Sequence, residues 1–89
     1  MTTSTETAIT IRVLCFAQLR ARLGQSTFSI SLPAGATGRD LVSALRARHS
    51  SAAPLLGVSR LAVNCEYVTE DVVLHDGDEV AVITPVSGG

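Results

Sequence analysis

Ala8-Ile9-Thr10-Ile11-Arg12-Val13-Leu14-Cys15-Phe16 is the stretch that decides the fold class. β-Branched and apolar residues dominate it, and a period of two divides it. Ile9, Ile11, Val13 and Cys15 share one face, and Thr10, Arg12, Leu14 and Phe16 share the other. Its second half is apolar on both faces, the pattern of a central strand covered on both sides. Glu79 to Thr84 (EVAVIT) is the other strongly apolar strand. These first and last strands are therefore expected to be neighbours at the centre of one sheet.

The elements between them set the class. Ala17 to Gly24 (AQLRARLG) places Leu19 and Leu23 one helical turn apart, with Gly24 as a stop. Ser26 to Leu32 alternates strictly, with Phe28, Ile30 and Leu32 on one side, as a half-exposed edge strand does. Thr37 is a good N-cap for the main helix, and Asp40 three residues later completes an acidic capping box. Leu41, Val42 and Leu45 form its buried stripe, while Arg39, Ser43 and Arg46 face water, and the helix runs to about His49. Residues 50–59 form a connection, and Leu61 to Cys65 a third strand. Tyr67-Val68 and Val72 to Leu74 are short extended pieces, and His75 to Asp78 is a turn in which Gly77 supplies positive φ. Strands on both sides of one long helix define an α+β class: a mixed sheet with one main helix packed on one face.

The chain has 89 residues, which suits one domain. Residues 1–7 are expected to be a flexible polar tail, 8–84 the folded domain and 85–89 a flexible C-terminal tail. A net charge of −1 excludes the basic surface that nucleic acid or an anionic membrane selects. No apolar run approaches the ~20 residues of a membrane span, and residues 1–8 lack the features of a signal peptide, so a cytoplasmic protein is expected. All seven cations are Arg, which leaves no ε-amine to act as an isopeptide acceptor. Cys15 and Cys65 fit no metal or redox spacing and read as buried, reduced small hydrophobes.

Few features carry chemistry. No Ser/His/Asp or Cys/His motif, P-loop or HExxH is present, and His49 and His75 read as exposed structural residues. Asp76-Gly77-Asp78 is far short of a calcium loop and reads as a turn. What remains is Gly88-Gly89. By chance, two terminal glycines arise in roughly one chain in two hundred. Without Cβ atoms, such a tail can thread a narrow channel. Its carboxylate acylates poorly until converted to a mixed anhydride such as an acyl-adenylate, so the tail would be a tethered substrate for another protein's active site.

Val13 to Arg20 (VLCFAQLR), ending at Gly24, resembles the strand-to-helix signature of the MoaD family, the small subunit of molybdopterin synthase. Ala62-Val63-Asn64 is similar to that family's central strand, and Leu74 to Ala81 followed by Pro85 to Gly89 resembles its ending. The resemblance implies a ubiquitin-like β-grasp fold and a sulfur carrier that is not catalytic alone but donates sulfur within the synthase. On this reading an E1-like, MoeB-like enzyme consumes ATP to adenylate Gly89, and a sulfur donor converts it to a thiocarboxylate. The tail then enters a MoaE-like large subunit, in a heterotetramer with two large subunits, and gives sulfur to precursor Z to form the dithiolene. Gly88 keeps the tail thin beside the reacting atom. The resemblance implies no bound cofactor and no metal. Cys15 for a Phe, Ala21 for a Glu, Val82 and Ile83 for aromatics and Thr84 for a Pro depart from the pattern, and bear on packing and the partner surface. A ThiS-like carrier for thiamine synthesis and a ubiquitin-like protein modifier are the alternatives; the AQLR segment argues against the first.

Overall fold

The computed structural model describes residues 8–84. Its elements follow in chain order as β1 (Ala8–Cys15), α1 (Ala17–Leu23), β2 (Thr27–Pro33), α2 (Gly38–Arg48), a 3-10 turn (Ser50–Ala52), α3 (Ala53–Leu56), β3 (Arg60–Val63), β4 (Glu66–Val68) and β5 (Glu79–Ile83). The strands form one sheet in the order β2-β1-β5-β3-β4. β1 and β5 are parallel and the other pairs antiparallel, so the sheet is mixed, with its first and last strands adjacent at the centre. β2 lies at an edge, as its polar alternate positions require.

The core lies between one sheet face and the helices. Ile11, Val13, Val80 and Val82 from the central strands meet Leu41, Val42 and Leu45 of α2 and Leu19 of α1. α2 begins where the sequence places it. Thr37 Oγ1 accepts a hydrogen bond from Asp40 N at 3.3 Å, and Asp40 Oδ2 accepts one from Thr37 N at 2.9 Å. The next two amides donate to the carbonyls of Val72 and Glu70, so the 69–74 segment crosses the start of the helix and satisfies it. That crossing is close. A Cβ on Gly38 would stand 2.8 Å from Leu61 Cδ1 and 3.3 Å from the Glu70 carbonyl oxygen.

Four expectations are corrected. β1 is covered on one side only: Leu14 is half-buried and Phe16 is 50% exposed, because among the described residues the helices lie on a single face of the sheet. The 50–59 connection folds into the 3-10 turn and α3, because Ala52 and Leu56 have room to enter the core. Val72 to Leu74 contributes only a single bridge, Thr37 to Val73. Asn64 and Cys65 are not strand residues. They form the two-residue turn between β3 and β4, at φ of 49° and 75°, and the Cys65 thiol is exposed. Two consecutive positive-φ residues match the right-handed twist of the hairpin they join.

Candidate functional site

Gly88 and Gly89, the residues to which the sequence assigns the chemistry, lie outside the described residues. What the structure places is the root of their tail. β5 is hydrogen-bonded on both edges, with Cys15 beside Val82 in β1 and Arg60 beside Ile83 in β3. Val80 and Val82 are fully buried. The chain therefore leaves Ile83 from a strand held at the centre of the sheet.

The start of β5 is fixed by the two aspartates that resemble a cation loop in sequence. Asp76 Oδ1 accepts from the Thr10 amide at 2.8 Å, and Asp78 Oδ2 accepts from the His75 amide at 2.8 Å. The Gly77 amide donates to the Thr10 carbonyl, with Gly77 at φ 87°. Both carboxylates are thus committed to the turn, as the sequence reading expected. Among the described residues no cluster of His, Cys, Asp or Glu is arranged to hold a metal. Asn64 locks the same turn from the other side. Its Nδ2 donates to Asp78 Oδ1, its Oδ1 accepts from the Glu79 amide and its own amide donates to the Glu79 carbonyl.

The sheet face opposite the helices is apolar over half its width. Leu14, Phe16, Ala62, Tyr67, Ala81 and Ile83 line a shallow groove across β1, β5, β3 and β4, with Cys65 and Glu79 at one end. Tyr67 is 60% exposed. An exposed contiguous apolar patch is the kind of surface that partners or ligands cover. The sequence carries the signal in the alternation Leu14/Phe16 and Ala81/Ile83, which the expectation of a first strand covered on both sides assigns to the interior.

The two cysteines sit in different environments. Burial holds the Cys15 thiol protonated, raising its pKa to about 11. Cys65 sits beside Glu79 at the start of β5. Ile83 lies four residue steps along β5 from Glu79, about 13 Å at a strand's rise. Of the two histidines, His75 is exposed near Asp78, and His49 closes α2 with its ring edge-on to Phe28. No helix among the described residues is long and apolar enough to cross a membrane.

A mixed five-stranded sheet, one main helix on one face and a central C-terminal strand define a ubiquitin-like β-grasp domain, here with an exposed apolar groove on the opposite face. The model of the ThiS family matches residues 13–89, and the chain belongs to that ThiS/MoaD family. A Dictyostelium discoideum protein named molybdopterin synthase sulfur carrier subunit is 36% identical, over 88% of this chain and 94% of its own length. Among solved structures, a Pyrococcus furiosus protein described as a candidate molybdopterin converting factor subunit 1 is 34% identical. It superposes with a TM-score of 0.79 over 88% of this chain and 99% of its own. SAMP1 from Haloferax volcanii is 25% identical with a TM-score of 0.79, covering 90% of this chain and 99% of that one.

Proposed function

We propose that this chain is the sulfur carrier subunit of a cytoplasmic molybdopterin synthase, working through the carboxylate of Gly89. The observation that carries the reading is the coincidence of two features on β5: an apolar, uncovered sheet face beside the strand, and a family match that continues from it to Gly89. Relatives named for this role, similar over most of the chain, support it. Residues 84–89 can reach at most about 20 Å beyond Ile83. A partner seated on the open face can therefore hold its own catalytic centre within reach of the tail.

The chemistry follows from what a carboxylate lacks. Gly89 attacks the α-phosphate of ATP on an E1-like, MoeB-like enzyme, releasing pyrophosphate and leaving an acyl-adenylate. Hydrosulfide supplied by a sulfur donor displaces AMP, and loss of the remaining proton leaves a thiocarboxylate. In the MoaE-like large subunit that sulfur displaces an oxygen substituent from a carbon of precursor Z, and water returns the carboxylate as the C–S bond to Gly89 breaks. A heterotetramer with two large subunits would present two such tails. Gly88 has no Cβ to obstruct the channel.

Intact mass spectrometry after incubation with the E1-like enzyme, ATP and a sulfur donor should show the gain of one oxygen-to-sulfur replacement, located at Gly89. An unchanged mass with an active enzyme present removes the proposal. The likeness to SAMP1 favours protein modification through the same terminus as a second reading. It predicts covalent adducts on target lysines in cells, which a dedicated sulfur carrier does not form. A ThiS-like thiamine carrier would instead restore thiamine prototrophy and leave molybdoenzymes inactive.

A further inference from the structure

Beside the apolar groove of the open face stands one arginine. Arg60 projects from β3 on the same side as Ala62, and its guanidinium carbon stands 4.5 Å from the centre of the Tyr67 ring. In the sheet it lies directly beside Ile83, the last residue of β5. The cation thus stacks on Tyr67 while the Arg60 backbone pairs with Ile83, both lining residues of the groove, at the end where the tail departs. Arg12 is the other arginine on this face, and its register neighbour on β5 is Glu79. Among the described residues no carboxylate forms an ion pair with Arg60.

A partner that covers Phe16, Ile83 and Tyr67 must cover Arg60 as well, because the guanidinium lies against the tyrosine. Desolvating a lone cation carries a heavy penalty, and that penalty is removed only by an opposite charge. Stacking on an aromatic ring orients the guanidinium fork before any partner arrives, and leaves its edge free to pair with a carboxylate. We infer that the partner docking on this face presents an acidic side chain to Arg60, and that this ion pair sets the register in which the tail is delivered. The occupant is an apolar protein surface bearing one carboxylate at the tail-exit end. On the sulfur-carrier reading, on which this inference rests, that surface belongs to the large synthase subunit.

Binding of the full chain to the large synthase subunit of the same organism, measured by calorimetry at about 0.05 M and about 0.5 M salt, tests it, since these concentrations span strong and weak screening. Arg60→Leu is expected to weaken binding by roughly tenfold to a hundredfold and to flatten its salt dependence. Arg60→Lys keeps the salt dependence and loses less. Circular dichroism melts of both variants confirm that the exposed substitution leaves the fold intact. If Arg60→Leu binds as tightly as the native chain, with the same salt dependence, the inference is overturned while the sulfur-carrier reading stands. If the native chain does not bind the large subunit at all, both fall.

Discussion

Asn64 Nδ2 donates to Asp78 Oδ1 across 3.1 Å, tying the β3–β4 turn to the turn that launches β5. The same side chain accepts from the Glu79 amide, and its backbone sits at φ 49°. Asparagine tolerates that region better than other side chains with a Cβ. Asn64→Ala removes two hydrogen bonds and adds backbone strain at a solvent-exposed site, and should cost about 1–2 kcal/mol of stability. Asn64→Gly recovers the backbone part only. Urea midpoints of the two variants separate the contributions.

Gly38 is demanded by approach and not by its dihedral angles. Gly38→Ala drives a methyl group toward Leu61 and the Glu70 backbone, where the 69–74 segment crosses the helix start. Overpacking of this kind costs about 1–3 kcal/mol, offset by about 0.4–1 kcal/mol from a stiffer unfolded chain. A net loss of stability is expected, with faster amide exchange at Arg39, whose N–H bonds to Glu70.

Cys65 occupies the second position of a tight hairpin turn at φ 75°, a place where Asn-Gly is the preferred pair. Cys65→Gly should therefore stabilise the domain by about 0.5–1 kcal/mol, contrary to the usual effect of glycine in a sheet protein. In the native chain an alkylating reagent should label Cys65 quickly and Cys15 only on unfolding. Peptide mapping after brief labelling, with and without denaturant, checks both statements.

Cys15 gives stability a dependence on alkaline pH. Its folded pKa is raised by burial from 9.0 to about 11. Below pH 9 the thiol is protonated in both states and its contribution is fully present. Between pH 9 and about 11 the unfolded chain ionises and the folded one does not, so stability falls as pH rises, by about 2–3 kcal/mol at the upper end. Cys15→Ala should lower stability at neutral pH yet remove that alkaline slope, as read from urea titrations at successive pH values.

Much of the fold was legible because burial selects residue types at a fixed period. Ile9, Ile11, Val13 and Cys15 alternate and are all buried, and the Thr37/Asp40 box forms as its spacing requires. Leu14 and Phe16 were legible as residues that become covered, but alternation cannot say whether the cover is a helix of the same chain or another protein. Asn64-Cys65 reads as strand because Cys is apolar and follows a β-rich run, although Asn is itself the signal for a left-handed turn. α3 is four residues long, too short for a helical period to show, and of its residues Leu56 is buried and Leu55 partly so. For the site, glycine content indicates a tail, whereas the docking face and Arg60 depend on cross-strand register that one sequence does not state.

Phe16 allows folding and docking to be separated. It occupies the N-cap of α1 in extended conformation, at φ −132° and ψ 159°, and gives that helix no side-chain cap. Its ring is half-exposed on the open face, so little core packing depends on it. Aspartate at this position can accept from the free amides of the first turn and suits the positive end of the helix, which contributes about 0.5–1 kcal/mol. The same substitution sets a carboxylate in the middle of an apolar contact, where a partner has no reason to pair it. Phe16→Asp should therefore fold at least as stably as the native chain while losing affinity for the large subunit by about a hundredfold or more, in the range of an interface hot spot. A urea midpoint at or above the native value, together with failed reconstitution of synthase activity, is the expected pair of results. Native affinity in the variant would mean that the partner docks elsewhere, and the assignment of the open face would be lost.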